Sequence, residues 1–197
     1  MTKQELRRVM KQKLKSIPKE QFRSEGVAAA DRLAGTALWK KYDTILMYIS
    51  MPDEIDTTRL LENAVAAGKK VYAPRIEPEC GMRFFGITND QSAWVEGPFG
   101  IREPVVNRDD EFLPERDQGL VISPGLAFDL NGNRMGRGKG YYDRFYEKLA
   151  KMSPESAVCA MCMACEIVDF VPMESFDQKM HALCTCNEYI VLDDRCK

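Results

Sequence analysis

Ser123–Tyr146 reads SPGLAFDLNGNRMGRGKGYYDRFY, and the fold class follows from what surrounds this stretch. The apolar run Gly119–Ile122 before it has the character of a buried strand, and the apolar and aromatic spacing of Tyr141–Leu149 suits a helix. Between them Gly132, Gly136, Gly138 and Gly140 alternate with Arg134, Arg137 and Lys139. A strand, a glycine-rich loop and a helix form a layout that binds phosphate. Glycine lets backbone N–H groups approach an anion, and a helix N-terminus adds unpaired donors and partial positive charge. Asp143, close behind the loop, could hold Mg²⁺ against the same phosphates. The Walker pattern is absent because Lys139 is followed by Gly140, and the spacing GxGxG differs from the dinucleotide GxGxxG. The plainer account of the same residues is a solvated basic turn.

Composition restricts the classes that this loop can serve. The 197 residues suffice for one domain with a sizeable core, and the whole chain, 1–197, is expected to be that domain. Hydrophobic content of 45% with 29% charge is that of a globular protein. A net charge of −2 gives no general reason to expect nucleic acid or an anionic membrane as partner. Anion binding must therefore be local. The N-terminus MTKQELRRVMKQ lacks a signal peptide's apolar segment, and no run approaches the roughly 20 residues of a spanning helix. Seven cysteines without an export signal read as reduced thiols of a cytoplasmic protein.

Working outward from the loop, Thr2 and Glu5 form a capping box for a first helix, with Leu6, Val9, Met10, Leu14 and Ile17 on its apolar face. Lys3 and Arg7, four apart, flank that stripe and either lean over a neighbouring site or are ordinary surface charges. Pro18 starts a second helix expected to run to about Leu38 through Phe22, Val27, Ala30 and Leu33. Asp43–Ser50 is a buried strand. The acidic loop Met51–Asp56 follows, then a helix over Thr57–Ala67 that Asp56 can cap and Gly68 stops, then a strand at Lys70–Ala73. This is a βαβ unit with parallel strands. Ligands of such sheets bind beyond the carboxyl ends of strands, where both the acidic loop and the glycine loop fall. Glu54 and the basic cluster are thus expected to face one crevice.

Met82–Ile87 reads as a further strand, and Thr88–Gln118 as a polar excursion with a short helical turn near Trp94. Trp94, Phe99 and Ile101 there either line an aromatic ligand's pocket or fill core. Ser156–Ala164 and Glu188–Leu192 complete about six strands and four helices in alternation. The expected architecture is a three-layer α/β/α domain around a mainly parallel sheet. Cys159, Cys162 and Cys165 have CxxCxxC spacing, but on an apolar strand their side chains alternate sides. They are expected to pack as small hydrophobes. The single histidine, His181, is expected at the surface.

The central stretch resembles the signature of the 5-formyltetrahydrofolate cyclo-ligases, also called 5,10-methenyltetrahydrofolate synthetases: Pro124-Gly125-Leu126-Ala127-Phe128-Asp129, then Gly132 to Asp143 as G-x-R-M-G-x-G-x-G-Y-Y-D. The strand and loop YISMPDEIDT and the early Lys3 and Arg7 are also similar to that family. The resemblance implies ATP- and Mg²⁺-dependent conversion of 5-formyltetrahydrofolate to 5,10-methenyltetrahydrofolate, with small-molecule partners only and a monomeric enzyme. It implies ATP contacts at Lys3, Arg7, Arg134, Met135, Gly136, Arg137, Gly138, Lys139, Gly140, Tyr141 and Tyr142. Substrate contacts are implied at Ile49, Glu54, Arg137, Gly138, Lys139, Gly140 and Tyr141, catalytic roles for Arg137, Lys139 and Tyr142, and Mg²⁺ ligation by Asp143 and Asp177. The family usually has D-x-x-x-D where this chain has Asp177 and His181. A non-catalytic folate- or nucleotide-binding module is the alternative.

Overall fold

A computed structural model describes residues 1–77, 81–87, 94–97, 100, 102–175 and 177–196. The chain runs α1 (Lys3–Lys15), α2 (Lys19–Ala34), α3 (Ala37–Lys41), β1 (Thr44–Met47), α4 (Thr58–Ala66), β2 (Lys70–Glu77), β3 (Gly81–Gly86), β4 (Trp94–Glu96) and β5 (Arg102–Pro104). It continues with β6 (Leu120–Ser123), β7 (Ala127–Phe128), β8 (Arg134–Met135), α5 (Tyr141–Met152), β9 (Ala157–Met161), β10 (Ala182–Cys184) and β11 (Tyr189–Val191).

Seven strands form one sheet in the order β11-β10-β9-β6-β1-β2-β3. The five central strands are parallel, and β3 and β11 close the two edges antiparallel. Because strand side chains alternate faces, each central strand feeds two cores. Ile45, Met47, Leu120, Ile122, Cys159, Met161, Ala182 and Cys184 pack with Leu6, Met10, Leu14, Phe22, Leu33 and Leu60 from α1, α2 and α4. Leu46, Val121, Val158, Ala160 and Leu183 pack with Phe145, Tyr146 and Leu149 of α5. Helices therefore cover both faces, and the α/β/α layering follows from a period of two. Each fully buried Leu or Met contributes at most about 1.5–3 kcal/mol.

Several elements differ from the sequence reading. The capping box forms, with Glu5 N–H donating to Thr2 Oγ1 at 3.2 Å and Thr2 N–H to Glu5 Oε2 at 2.7 Å. Val9 and Val27, however, are exposed, so the buried stripes are narrower than the apolar ones. The second helix stops at Ala34, not Leu38. Gly35 closes it, and Thr36 caps the separate α3 by accepting from Trp39 N–H at 3.1 Å. Trp94 is not in a helical turn but in β4, paired with β5 as a hairpin. Phe99 and Ile101 lie outside the described residues. The strand β10 was hidden by its brevity, three residues between irregular segments.

His181 is not a surface residue. It is partly buried, and its Nδ1 accepts from Val158 N–H at 3.0 Å while its own N–H donates to the Val158 carbonyl at 2.8 Å. The imidazole thus extends the β9–β10 ladder by one bond, and burial lowers its pKa to about 4. Cys159, Cys162, Cys184 and Cys196 are buried free thiols, with Cys159 in one core and Cys162 in the other. Among the described residues no group of three metal-ligating side chains occurs, and no helix is long and apolar enough to cross a membrane.

Candidate active site

The sheet order places β2 on one side of β1 and β6 on the other, so the loops after β1 and β6 leave in opposite directions and open a crevice between them. A cavity of ≈ 400 Å³ occupies that place. Tyr48, Ile49, Met51 and Glu54 come from the first loop, and Pro124, Gly125 and the glycine-rich segment from the second.

The acidic loop is fixed from below. Asp56 N–H donates to the Phe22 carbonyl of α2 at 3.2 Å. The N-cap of α4 is Thr57, and Asp56, one residue earlier, accepts with Oδ1 from the N–H of Thr58, the first helical residue, at 2.7 Å. Helix α2 approaches so closely that a Cβ on Gly26 would sit 2.3 Å from the Asp56 carbonyl oxygen. Across the crevice, Gly138 (φ +97°) and Gly140 (φ +69°) adopt the left-handed backbone that turns the chain into α5. Gly140 is the N-cap of α5 and offers no side-chain acceptor, so no cap takes the first-turn N–H groups. Helix α1 closes a third side, with Arg7 Nε donating to the Gly136 carbonyl at 3.2 Å.

Arg137 spans the crevice. Its Nη1 and Nη2 bond both oxygens of Asp53, at 3.1 and 2.7 Å, and its Nε bonds Glu54 Oε1 at 3.1 Å. Glu54 Oε2 accepts from Met51 N–H at 3.0 Å. Burial raises the Glu54 pKa, against the opposing charge of Arg137. Burial also works against the charge of Arg137, but Asp53 and Glu54 outweigh it and hold the guanidinium firmly charged. Nearby Tyr48 is buried, donates to the Met161 carbonyl at 3.2 Å, and has its phenol pushed well up by burial and then by Glu54. Glu166, buried behind this group with Oε2 on Met163 N–H at 2.8 Å, is raised to about 8, chiefly by burial.

The three cations of the glycine loop have different situations. Arg134 is buried, donates to the Pro124 carbonyl at 3.1 Å and to Asp143 Oδ1 at 2.6 Å, and lies against the rings of Tyr142 and Tyr146. Arg137 is held by the acidic loop. Lys139 is exposed, and its ammonium has no carboxylate partner among the described residues. Burial also pushes the Tyr142 phenol well up, keeping it protonated as a donor.

Of the residues singled out from sequence, Ile49, Glu54, Arg134, Gly136, Arg137, Gly138, Lys139, Gly140, Tyr141, Tyr142 and Asp143 line this one cavity. Arg7 touches the loop from behind. Met135 is buried, its carbonyl taken by Leu126 N–H at 2.8 Å. Lys3 and Asp177 pair with each other, Lys3 also reaching Glu174 at 3.0 Å, and Asp177 lines a second, more polar cavity together with His181. The sequence reading passed over Lys11, Asp53, Arg102 and Glu103. Lys11 continues the four-residue series of Lys3 and Arg7, a usable signal. Arg102 and Glu103 had none.

Fold and crevice define the class: an α/β protein whose cavity lies at a switch point of a mainly parallel sheet, between a basic glycine loop and an acidic loop. The sequence profile of the 5-formyltetrahydrofolate cyclo-ligase family matches residues 1–186. A probable 5-formyltetrahydrofolate cyclo-ligase of Caenorhabditis elegans is 28% identical over 97% of this chain and 96% of its own. The 5-formyltetrahydrofolate cyclo-ligase of Escherichia coli (strain K12) is 30% identical over 90% and 96%. The NMR structure of Aquifex aeolicus 5,10-methenyltetrahydrofolate synthetase superposes with a TM-score of 0.83 at 26% identity, covering 98% of this chain and 94% of that one. The chain belongs to the 5-formyltetrahydrofolate cyclo-ligase family, and is thus an enzyme of folate metabolism, a ligase.

Proposed function

We propose that residues 1–197 act as one cytoplasmic, monomeric domain that converts 5-formyltetrahydrofolate to 5,10-methenyltetrahydrofolate with ATP and Mg²⁺, releasing ADP and phosphate. The observation that carries this reading is Arg137, bonded to Asp53 and Glu54 from within the glycine loop. It puts a carboxylate suited to a pterin beside a loop suited to phosphate.

An N-formyl oxygen is a poor leaving group and its carbon a poor electrophile. Phosphorylating that oxygen, closing the ring through N10 and expelling phosphate overcomes both. Such a transfer needs in-line positioning and charge stabilisation, with no covalent nucleophile from the protein. Glu54, held by Met51 N–H, would accept from the donor edge of the pterin while Ile49 packs on its face. Charge-assisted bonds of that kind are stronger than neutral ones. The uncapped start of α5, Gly136, Gly138, Gly140 and the ammonium of Lys139 would receive the phosphates, with Tyr141 bordering the nucleotide and Arg7 holding the loop from behind; Met135, which is buried, and Lys3 lie outside the cavity lining. Tyr142, kept protonated, would donate toward the transferring oxygen, and Arg137 would stabilise its charge.

One carboxylate also fits Mg²⁺. Asp143 lines the cavity and has given only Oδ1 to Arg134, leaving Oδ2 for a metal that keeps waters and phosphate oxygens as its other ligands. Asp177, paired with Lys3 and lining the second cavity, is not among the residues around this one, so Asp143 alone would hold the metal. Mg²⁺ held there supplies positive charge against the phosphate oxygens.

The test is the growth of methenyl-folate absorbance with protein, 5-formyltetrahydrofolate, ATP and Mg²⁺ present, and its absence when any one is omitted. Binding of the folate without ATP consumption would instead identify a non-catalytic module.

A further inference from the structure

Among the described residues, three carboxylates line the cavity: Glu54, Asp143 and Glu103. The first two already have uses. Glu54 gives Oε1 to Arg137 and Oε2 to Met51 N–H, and Asp143 gives Oδ1 to Arg134. Glu103, on β5, has no assigned role. Its Oε1 accepts from Ile76 N–H of β2 at 3.3 Å, which anchors the β4–β5 hairpin to the sheet. Its Oε2 lies 4.0 Å from Arg75 Nε, too far for a hydrogen bond. The side chain is only 6% exposed, and Gly97 makes room for it, because a Cβ there would run into the carboxyl group.

A buried carboxylate with one oxygen unbonded has given up water without gaining a full set of partners. Burial raises its pKa, against the pull of Ile76 N–H and of Arg75 on β2. The other charges of the hairpin are Arg102, next to it in the strand, and Glu96, which stands opposite Arg102 across the pair. A carboxylate moved toward neutral pH becomes a stronger base and still releases its proton afterwards.

The proposed reaction leaves one proton to be removed. N10 enters ring closure carrying a hydrogen and ends without one. N5 and N10 lie at the end of the reduced pterin remote from its donor edge, so with that edge on Glu54 the N10 hydrogen faces other walls of the cavity. Asp143 is held by Arg134 and assigned to the metal, which leaves Glu103.

Resting on the proposed function, we infer that Glu103 is the general base of ring closure. N10 bonds to the formyl carbon, the N10–H bond breaks with its proton passing to Glu103 Oε2, and the carbon–oxygen bond breaks with its electron pair leaving on phosphate. Glu103 takes no part in the phosphoryl transfer that precedes this step.

Rapid-quench measurement of ADP and stopped-flow absorbance of the methenyl product, on wild type and Glu103→Gln, separate the two steps. The amide keeps an acceptor for Ile76 N–H, so the hairpin stays anchored and calorimetry should find folate affinity unchanged. In its first turnover Glu103→Gln should form ADP at the wild-type rate but close the ring about 10²–10³-fold more slowly. Wild-type ring closure should slow as pH falls and the carboxylate is protonated, and Glu103→Gln should lack that limb. Ring closure in Glu103→Gln at the wild-type rate overturns the inference and makes the departing phosphate the proton acceptor. Equal slowing of both steps, or a loss explained by weaker folate binding, overturns it too and leaves Glu103 as the anchor of the hairpin. A wild type that forms neither ADP nor methenyl product sinks the proposed function and this assignment with it. Wild-type turnover beside an unaffected variant sinks this assignment alone.

Discussion

Replacing Arg137 by alanine tests the contact that joins the two loops. At 3.1 Å and an effective dielectric of about 20, the gross attraction between the Nε side of the guanidinium and Glu54 is on the order of 5 kcal/mol. Much of it offsets the desolvation of both groups, and Arg137 keeps 29% of its side-chain surface in water. The bonds to Asp53, 40% exposed, add at most about 1 kcal/mol. A loss of about 2–3 kcal/mol is therefore expected, most of it from Glu54 left buried and unpaired. Two consequences separate this account from simple loss of packing. In a Glu54→Gln background, Arg137→Ala should cost only about 1 kcal/mol, because no charge is stranded. The cost should also depend on pH. Burial already raises the Glu54 pKa above its unfolded value, so the folded state holds that proton more tightly and stability declines as pH rises through the interval. Losing the guanidinium raises the pKa further and widens the interval, so Arg137→Ala should be closest to wild type near pH 5 and furthest from it near pH 7.5. Urea unfolding followed by circular dichroism at both pH values measures this. A penalty that is the same at both, and unaltered by Glu54→Gln, refutes the argument.

Four other substitutions probe separate links. Lys139→Ala should leave urea stability within about 0.5 kcal/mol, since the side chain is exposed, yet lower kcat by about 10²–10³-fold. Asp143→Asn should weaken the apparent Mg²⁺ affinity, read from the Mg²⁺ dependence of turnover. It should also destabilise the fold modestly, because Arg134 is buried against that carboxylate. Gly26→Ala gains about 1 kcal/mol of helix propensity but drives a methyl into the Asp56 backbone, a net loss of about 1–2 kcal/mol with a raised KM for the folate. For His181, burial depresses the folded pKa to about 4 from 6.5. Its contribution is complete above pH 6.5 and declines toward pH 4, by at most about 1.4 kcal/mol per pH unit. His181→Asn, which keeps an acceptor for Val158 N–H, should flatten that slope in unfolding titrations.

The layers, the parallel pairing of β1 with β2 and both loops of the crevice were legible because each rests on local pattern: period-two apolar runs, a capping box, glycines beside cations. Boundaries that depend on tertiary contact were not. Residues after Gly35 look as helical as those before it, and only the Thr36 cap separates α3. His181 looked solvent-facing because its one distinguishing feature, the Val158 N–H it accepts, lies 23 positions away in sequence. The hairpin that brings Arg102 to the cavity was hidden for a similar reason. Its anchor, Glu103, is an ordinary polar residue until Ile76 supplies an N–H. Lys11 alone among the omitted residues carried a local signal, being one turn beyond Arg7 on α1.

Asp53 and Glu54 neutralise Arg137, and on the proposed reading this has a mechanistic consequence. A pterin whose donor edge engages Glu54 competes with Arg137 Nε for the same carboxylate oxygens. Each bond that Glu54 gives to the pterin weakens its hold on the guanidinium, freeing positive charge at the moment phosphate needs it. Folate binding would then strengthen nucleotide binding through one shared residue, and reciprocity requires the same factor in the other direction. Glu54→Gln should break this linkage, because the neutral amide neither holds Arg137 by charge nor releases it. Measured affinities for the nucleotide with and without folate should therefore differ in wild type and coincide in Glu54→Gln. A wild-type protein in which the two ligands bind independently would mean that Arg137 remains with the acidic loop throughout, and that Lys139 and the start of α5 stabilise the phosphate without it.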